Sequence, residues 1–146
     1  MIRGITFSAF ELLHPGHLMF LESARQQCDH LTVGLHVNPN FCNPKKSIPV
    51  ETVWDRYTRL RAVKWVDDII PYETEKDLEN MLRTARFAVR FLGSEYEWNT
   101  NYTGKDFLDN IYIPRFHDYS SSNLKLRISD RDYSRPAREL GVAFRR

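Results

Sequence analysis

A chain of 146 residues, 42% hydrophobic and 27% charged, has the size and composition of one soluble domain and is too apolar to remain a disordered polyelectrolyte. Its formal net charge of +2 is carried by the end of the chain: residues 129–146 hold five Arg against three acids, leaving 16 basic and 16 acidic residues in 1–128. A balanced body lacks the basic stripe of a nucleic-acid binder, no stretch suits a membrane span, and the opening Met1-Ile2-Arg3-Gly4-Ile5 lacks the apolar core of a secretory signal, so the expectation is a cytoplasmic protein.

Ile2 to Phe7 is rich in β-formers and predicts a strand that breaks at Ser8-Ala9-Phe10-Glu11. Pro15, favourable in a first helical turn, opens a helix over about 15–28 with Leu18, Leu21 and Ala24 at helical spacing. Leu31 to Val37 is a second strand, so residues 2–37 form a βαβ unit, right-handed by the general rule. Cys28 and Cys42 stand fourteen apart with no ligand spacing around them, which indicates reduced thiols rather than zinc or a disulfide framework.

Asn38 to Pro49, with three Pro and three Asn, predicts a long functional loop. Val50 to Lys64 is helical, with Glu51 in its first turn, and Val66 to Pro71 is a strand closed by proline. Thr74 caps a helix to about Arg86, Ala88 to Gly93 is a fourth strand, and Ile111 to Pro114 a fifth. Ser120-Ser121-Ser122 opens the last helix. The alternation predicts an α/β, Rossmann-like domain over 1–128, a five-stranded, mostly parallel sheet with helices on both faces, followed by an Arg-rich extension, 129–146.

The chemistry concentrates in His14-Pro15-Gly16-His17, between the first strand and the first helix, where an open α/β sheet places its ligand crevice. Helix N-terminal amides attract phosphate, Gly16 allows close backbone approach, and the two imidazoles, one turn apart, aim N–H donors at one anion. Later in the chain, Arg115 offers a two-pronged charged grip, and Ser120, Ser121 and Ser122 supply hydroxyl and amide donors at a helix start. Arg56, if turned to the cleft, adds to the same cationic patch. Asp67 shapes a strand end, Gly93, Glu95 and Tyr96 are candidates for a base pocket, and Trp54, Trp65 and Trp98 are core or interface residues as readily as stacking platforms.

Three segments, Phe7 to His17, Lys64 to Pro71 and Arg115 to Lys125, resemble in order the motifs of the cytidylyltransferase-like nucleotidyltransferases, in particular the glycerol-3-phosphate cytidylyltransferase branch. The resemblance covers about residues 1–128 and implies transfer of CMP from CTP to a small phosphorylated alcohol with release of pyrophosphate. It implies catalytic roles for His14, His17, Lys46 and Arg115, and a nucleotide site completed by Ala9, Phe10, Gly16, Tyr119 and Ser120 to Ser122. It also implies that Lys46 reaches the phosphates, that Lys45, with Arg56, meets the acceptor, and that the chain forms a homodimer. Magnesium enters with the triphosphate, Glu11 being the one candidate protein ligand. Ser8-Ala9 and Glu11 replace the family's Gly-Thr and Asp, and Lys64 its Arg. ATP in place of CTP, and nucleotide binding without turnover, remain as alternatives.

Overall fold

In a computed structural model, which describes residues 1–99 and 101–132, five strands form one sheet in the order β3-β2-β1-β4-β5, every neighbouring pair parallel. In chain order the elements are β1 (Arg3–Ser8), α1 (Pro15–Arg25), β2 (His30–His36), α2 (Pro39–Cys42), α3 (Val53–Arg61), β3 (Asp68–Tyr72), α4 (Glu75–Thr84), β4 (Val89–Gly93), β5 (Asp109–Ile113) and α5 (Ser121–Ser129). The chain builds outward from β1 through β2 to β3, then crosses to β4 and β5 on the other side. That reversal opens a crevice beyond the carboxyl ends of β1 and β4.

Alternation along the strands sorts the core onto two faces. Leu31, Val33 and Leu35 of β2 and Val89 and Phe91 of β4 pack with Leu21 and Ala24 of α1 and Leu60 of α3. Ile5 of β1 and Tyr72 of β3 face the other way, onto Leu78 and Leu82 of α4. Helices therefore cover both faces. Gly34 admits the Phe7 ring from β1, since a Cβ there would lie 2.2 Å from Phe7 Cδ1.

The observed ends differ from the expected ones for local reasons. α3 begins at Val53 because Thr52 and Asp55 form a reciprocal cap, each side chain accepting the other's backbone N–H at 3.1 Å. Glu51 falls before that cap rather than in the first turn. Within the expected loop 38–49, Asn38 caps the short α2 by accepting the Asn40 N–H at 3.1 Å. Pro71 lies inside β3 rather than closing it; β3 is an edge strand, where a missing N–H is tolerated. Asp67 does shape a strand end: its Oδ2 accepts from Leu31 N–H at 2.8 Å and Arg25 Nε at 2.9 Å.

Among the described residues no helix is long and apolar enough to cross a membrane. Of the Arg-rich extension, residues 133–146 lie outside the described residues.

Candidate active site

The head of α1 is capped by the two histidines themselves. His14, in extended conformation at φ −97°, is the N-cap. Its Nδ1 accepts the His17 N–H at 3.4 Å, and His17 Nδ1 accepts the His14 N–H at 3.2 Å. The rings stack at 3.7 Å with 17° between planes. A neutral imidazole has one donor and one acceptor nitrogen, so with both Nδ1 atoms accepting, both Nε2 atoms carry the proton. Burial, then the His14 ring and Arg115, push His17 down to about 3. His14 is lowered by burial, then by His117 and Arg115. At neutral pH the pair is therefore two uncharged donors, oriented by the cap. Gly16 is required between them: a Cβ would sit 2.4 Å from His117 Cε1 and 2.9 Å from His14 Cε1.

The loop leading into the cap is strained and heavily tied. Phe10 and Leu12 have φ of 48° and 53°, unusual for residues with side chains. Leu12 N–H donates to Glu51 Oε1 at 2.5 Å, and Glu51 is itself paired with Arg59. Arg56 Nη1 donates to the Ala9 carbonyl at 3.0 Å and the His36 carbonyl at 2.6 Å, and its Nη2 to Val37 at 2.6 Å. Arg56 is thus 2% exposed, occupied in joining the ends of β1 and β2, and is not among the residues that line the cleft. Glu11 is likewise turned into the protein. Its Oε1 accepts Val50 N–H at 2.6 Å and its Oε2 pairs with Lys125 Nζ at 2.9 Å. Both carboxylate oxygens are thus engaged in holding the loop.

The opposite wall comes from the segment after β5. Arg115 Nη2 donates to the Tyr119 carbonyl, closing the loop between them. Ser120 caps α5 by accepting Asn123 N–H at 3.0 Å, and Ser121 Oγ donates to the Glu11 carbonyl at 2.8 Å. The three serines have separate tasks: one caps, one locks α5 onto the β1–α1 loop, and Ser122 is exposed at the cleft. Two helix N-termini, α1 and α5, thereby open on one space.

That space is a cleft of about 1100 Å³. It gathers Ala9, Phe10, His14, Gly16, His17, Lys46, Arg115, Tyr119 and Ser120 to Ser122, together with Gly93, Glu95 and Tyr96. Lys45 is exposed and does not line it, and neither do the three tryptophans. Among its residues given no site role from the sequence are His36, Arg90, His117 and Lys125. Arg90 carried a signal, a charge inside the apolar run Ala88 to Leu92, and His117 and Lys125 lay within the family-like segment Arg115 to Lys125.

Comparison with known proteins agrees with this geometry. Residues 5–127 match the family model described as Cytidylyltransferase-like. The chain is 27% identical over 129 residues to the glycerol-3-phosphate cytidylyltransferase of Bacillus subtilis, covering 88% of this chain and 98% of that protein. It is 29% identical over 133 residues to the protein of the same name from Staphylococcus aureus, covering 90% and 98%. A solved lipopolysaccharide core biosynthesis protein from Thermoplasma volcanium superposes with a TM-score of 0.61 at 25% identity, over 82% of this chain and 99% of that one. The chain belongs to the cytidylyltransferase-like family of nucleotidyltransferases.

Proposed function

We propose that this protein transfers CMP from CTP to a small phosphorylated alcohol of the glycerol 3-phosphate kind. The observation that carries the reading is the reciprocal histidine cap, which presents two neutral Nε2–H donors across a cleft from Arg115 and the head of α5. The two bacterial relatives of full-length coverage bear the name of that reaction.

A phosphate monoester is largely dianionic at neutral pH, so its oxygen attacks the α-phosphorus without a general base. A P–O bond forms to the acceptor phosphate, the bond from the α-phosphorus to the bridging oxygen breaks, and pyrophosphate leaves with that oxygen and its electron pair. The protein's share is positioning and charge stabilisation. His14 and His17 donate to the phosphate oxygens as negative charge builds on them. Lys46, Arg115 and the amides of Ser121 and Ser122 hold the departing pyrophosphate.

A divalent cation belongs with the triphosphate as part of the substrate. Among the described residues no group of three His, Cys, Asp or Glu side chains converges to hold one, and Glu11 is paired with Lys125. No step is assigned to a resident metal.

Pyrophosphate release, measured with each of four nucleoside triphosphates against a panel of phosphorylated alcohols, tests the reading. CTP with a glycerol 3-phosphate-like acceptor is expected to give the highest kcat/KM. Release with ATP alone would replace cytidylyl by adenylyl transfer, and no release with any pair would leave a binding module.

A further inference from the structure

The cleft has a second lobe on the α4 face of the sheet, and its wall contains two buried polar groups for which the phosphate chemistry has no use. Arg90, paired with Ile5 of β1 and Asn110 of β5, is only 6% exposed. Its guanidinium lies over the rings of Phe7 and Tyr102, 5.0 and 5.2 Å from their centroids. Nη1 donates to the Thr103 carbonyl at 2.5 Å, but the buried Nε has no partner. Among the described residues no carboxylate forms an ion pair with it. At the end of β2, His36 is also 6% exposed and stacks on Tyr72 at 4.5 Å. Its Nε2 is buried and unpartnered. Burial lowers its pKa, so the ring is neutral and Nε2 stands as an unpaired donor or acceptor.

Buried polar groups in native proteins have partners, and both of these line the cleft. Glu75, at the head of α4, also lines it and acts electrostatically on both Arg90 and His36. The lobe thus combines a fixed donor, Arg90, with an acceptor, Glu75, and an unpaired ring nitrogen, His36 Nε2, between the aromatic residues Phe7, Tyr72, Tyr96 and Tyr102. An ammonium group would meet the Arg90 charge in a poorly solvated place. A carboxylate would pair with Arg90 but meet the Glu75 charge. A hydroxyl both accepts and donates, and so satisfies all three.

We propose that this lobe receives the non-reacting end of the acceptor, and that Arg90 and His36 select a hydroxylated chain, a sugar or polyol phosphate, against amino-alcohol phosphates. The inference rests on the nucleotidyl-transfer reading and adds a substrate class and two specificity residues to it.

Calorimetric titration of the full chain, with and without a CTP analogue blocked at the α–β bridge, tests it using glycerol 3-phosphate, a pentitol phosphate, phosphoethanolamine and 3-phosphoglycerate. The two polyol phosphates are expected to bind at least about ten-fold more tightly than the other two. Arg90→Met is expected to reduce polyol phosphate affinity about ten-fold and to narrow the preference, leaving the nucleotide Kd within about two-fold. His36→Phe, which keeps a ring on Tyr72 but removes Nε2, should cost about three-fold or more for the same ligands. Tighter binding of phosphoethanolamine or 3-phosphoglycerate overturns the proposal. So does an Arg90→Met protein that loses nucleotide and acceptor affinity together, or a His36→Phe protein that binds polyol phosphates normally. Should Arg90→Met fail to fold, the wild-type panel and His36→Phe decide alone. Because binding is the readout, absence of pyrophosphate release sinks the transfer reaction while the lobe's preference is still measured.

Discussion

The two sides of the cleft are built by opposite means. On the α1 side, His14, Gly16 and His17 lie within four residues, and a capping box that closes over three residues sets their geometry. On the α4 side, Phe7, His36, Tyr72 and Arg90 come from four different strands and meet only because parallel register brings them to one face. On the reading proposed above, the first side would handle what every nucleoside triphosphate shares, its phosphates, and the second what varies between acceptors. Local construction would then hold the constant chemistry in place, and the sheet surface would leave the variable chemistry to single substitutions.

Removing a donor from the local side should have the largest effect. His17→Ala is expected to lower kcat by about 100- to 1000-fold, the usual cost of a donor aimed at developing charge, while losing only about 1 kcal/mol of stability from the broken cap. Steady-state kinetics beside urea denaturation separates the two. A fall in kcat below ten-fold would mean that the pair caps a helix and does little else.

Arg56 tests the tie between the two sides. It donates to carbonyls of Ala9, His36 and Val37, so truncation orphans acceptors at the ends of both β1 and β2. Arg56→Met is expected to cost about 3 kcal/mol or more of stability and to weaken nucleotide and acceptor binding together. A normally stable variant with only its acceptor KM raised would return Arg56 to the acceptor site.

How much of this was legible in the sequence follows the same division. The α1 side was readable because strand, turn, proline and helix signals for His14 to His17 lie side by side. The carbonyls that Arg56 bonds were only half legible: Val53, Arg56 and Leu60 share one helical stripe, which points Arg56 inward, but the sequence does not say which strand ends that stripe meets. Arg90 was passed over because alternation assigns Val89 and Phe91 to one face and leaves open what covers the other. Only the β4–β1, β1–β2 and β2–β3 pairings place Arg90 on the same face as Tyr72. Glu51 illustrates the limit at element ends: one residue before the Thr52 cap, it serves the loop at Leu12 instead of the helix.

The neutral state of the histidine pair predicts a pH signature of intermediate size. The unfolded chain protonates His17 near 6.5 and the folded chain near 3. Its contribution to stability is therefore complete above about pH 6.5 and declines as pH falls toward 3, by about 2 kcal/mol at pH 5. The lowered His14 adds in the same direction. Urea denaturation at pH 7.5 and 5 should show a difference between the two pH values that is about 2 kcal/mol smaller in His17→Asn than in wild type. Equal differences in both proteins would show that His17 protonates in the fold as it does in the unfolded chain.

The smallest expected effect separates two adjacent lysines. The family pattern implies one for the phosphates and one for the acceptor, yet the structure treats them differently. Asn43 fixes the turn they share as an acceptor: Lys46 N–H donates to the Asn43 carbonyl at 2.9 Å, and Lys45 N–H to Asn43 Oδ1 at 3.1 Å. Asn40 Nδ2 holds the Lys46 carbonyl at 2.7 Å. This turn sets Lys46 on the cleft and Lys45 outside it. An exposed lysine acting as a point charge on phosphate is worth about 1 kcal/mol. Lys46→Ala should therefore raise the nucleotide KM by about five- to ten-fold, and Lys45→Ala should leave both KM values within about two-fold. If Lys45→Ala instead raises the acceptor KM, the loop must close over the acceptor when both substrates are bound, and the boundary between the constant and variable sides of the cleft moves to include it.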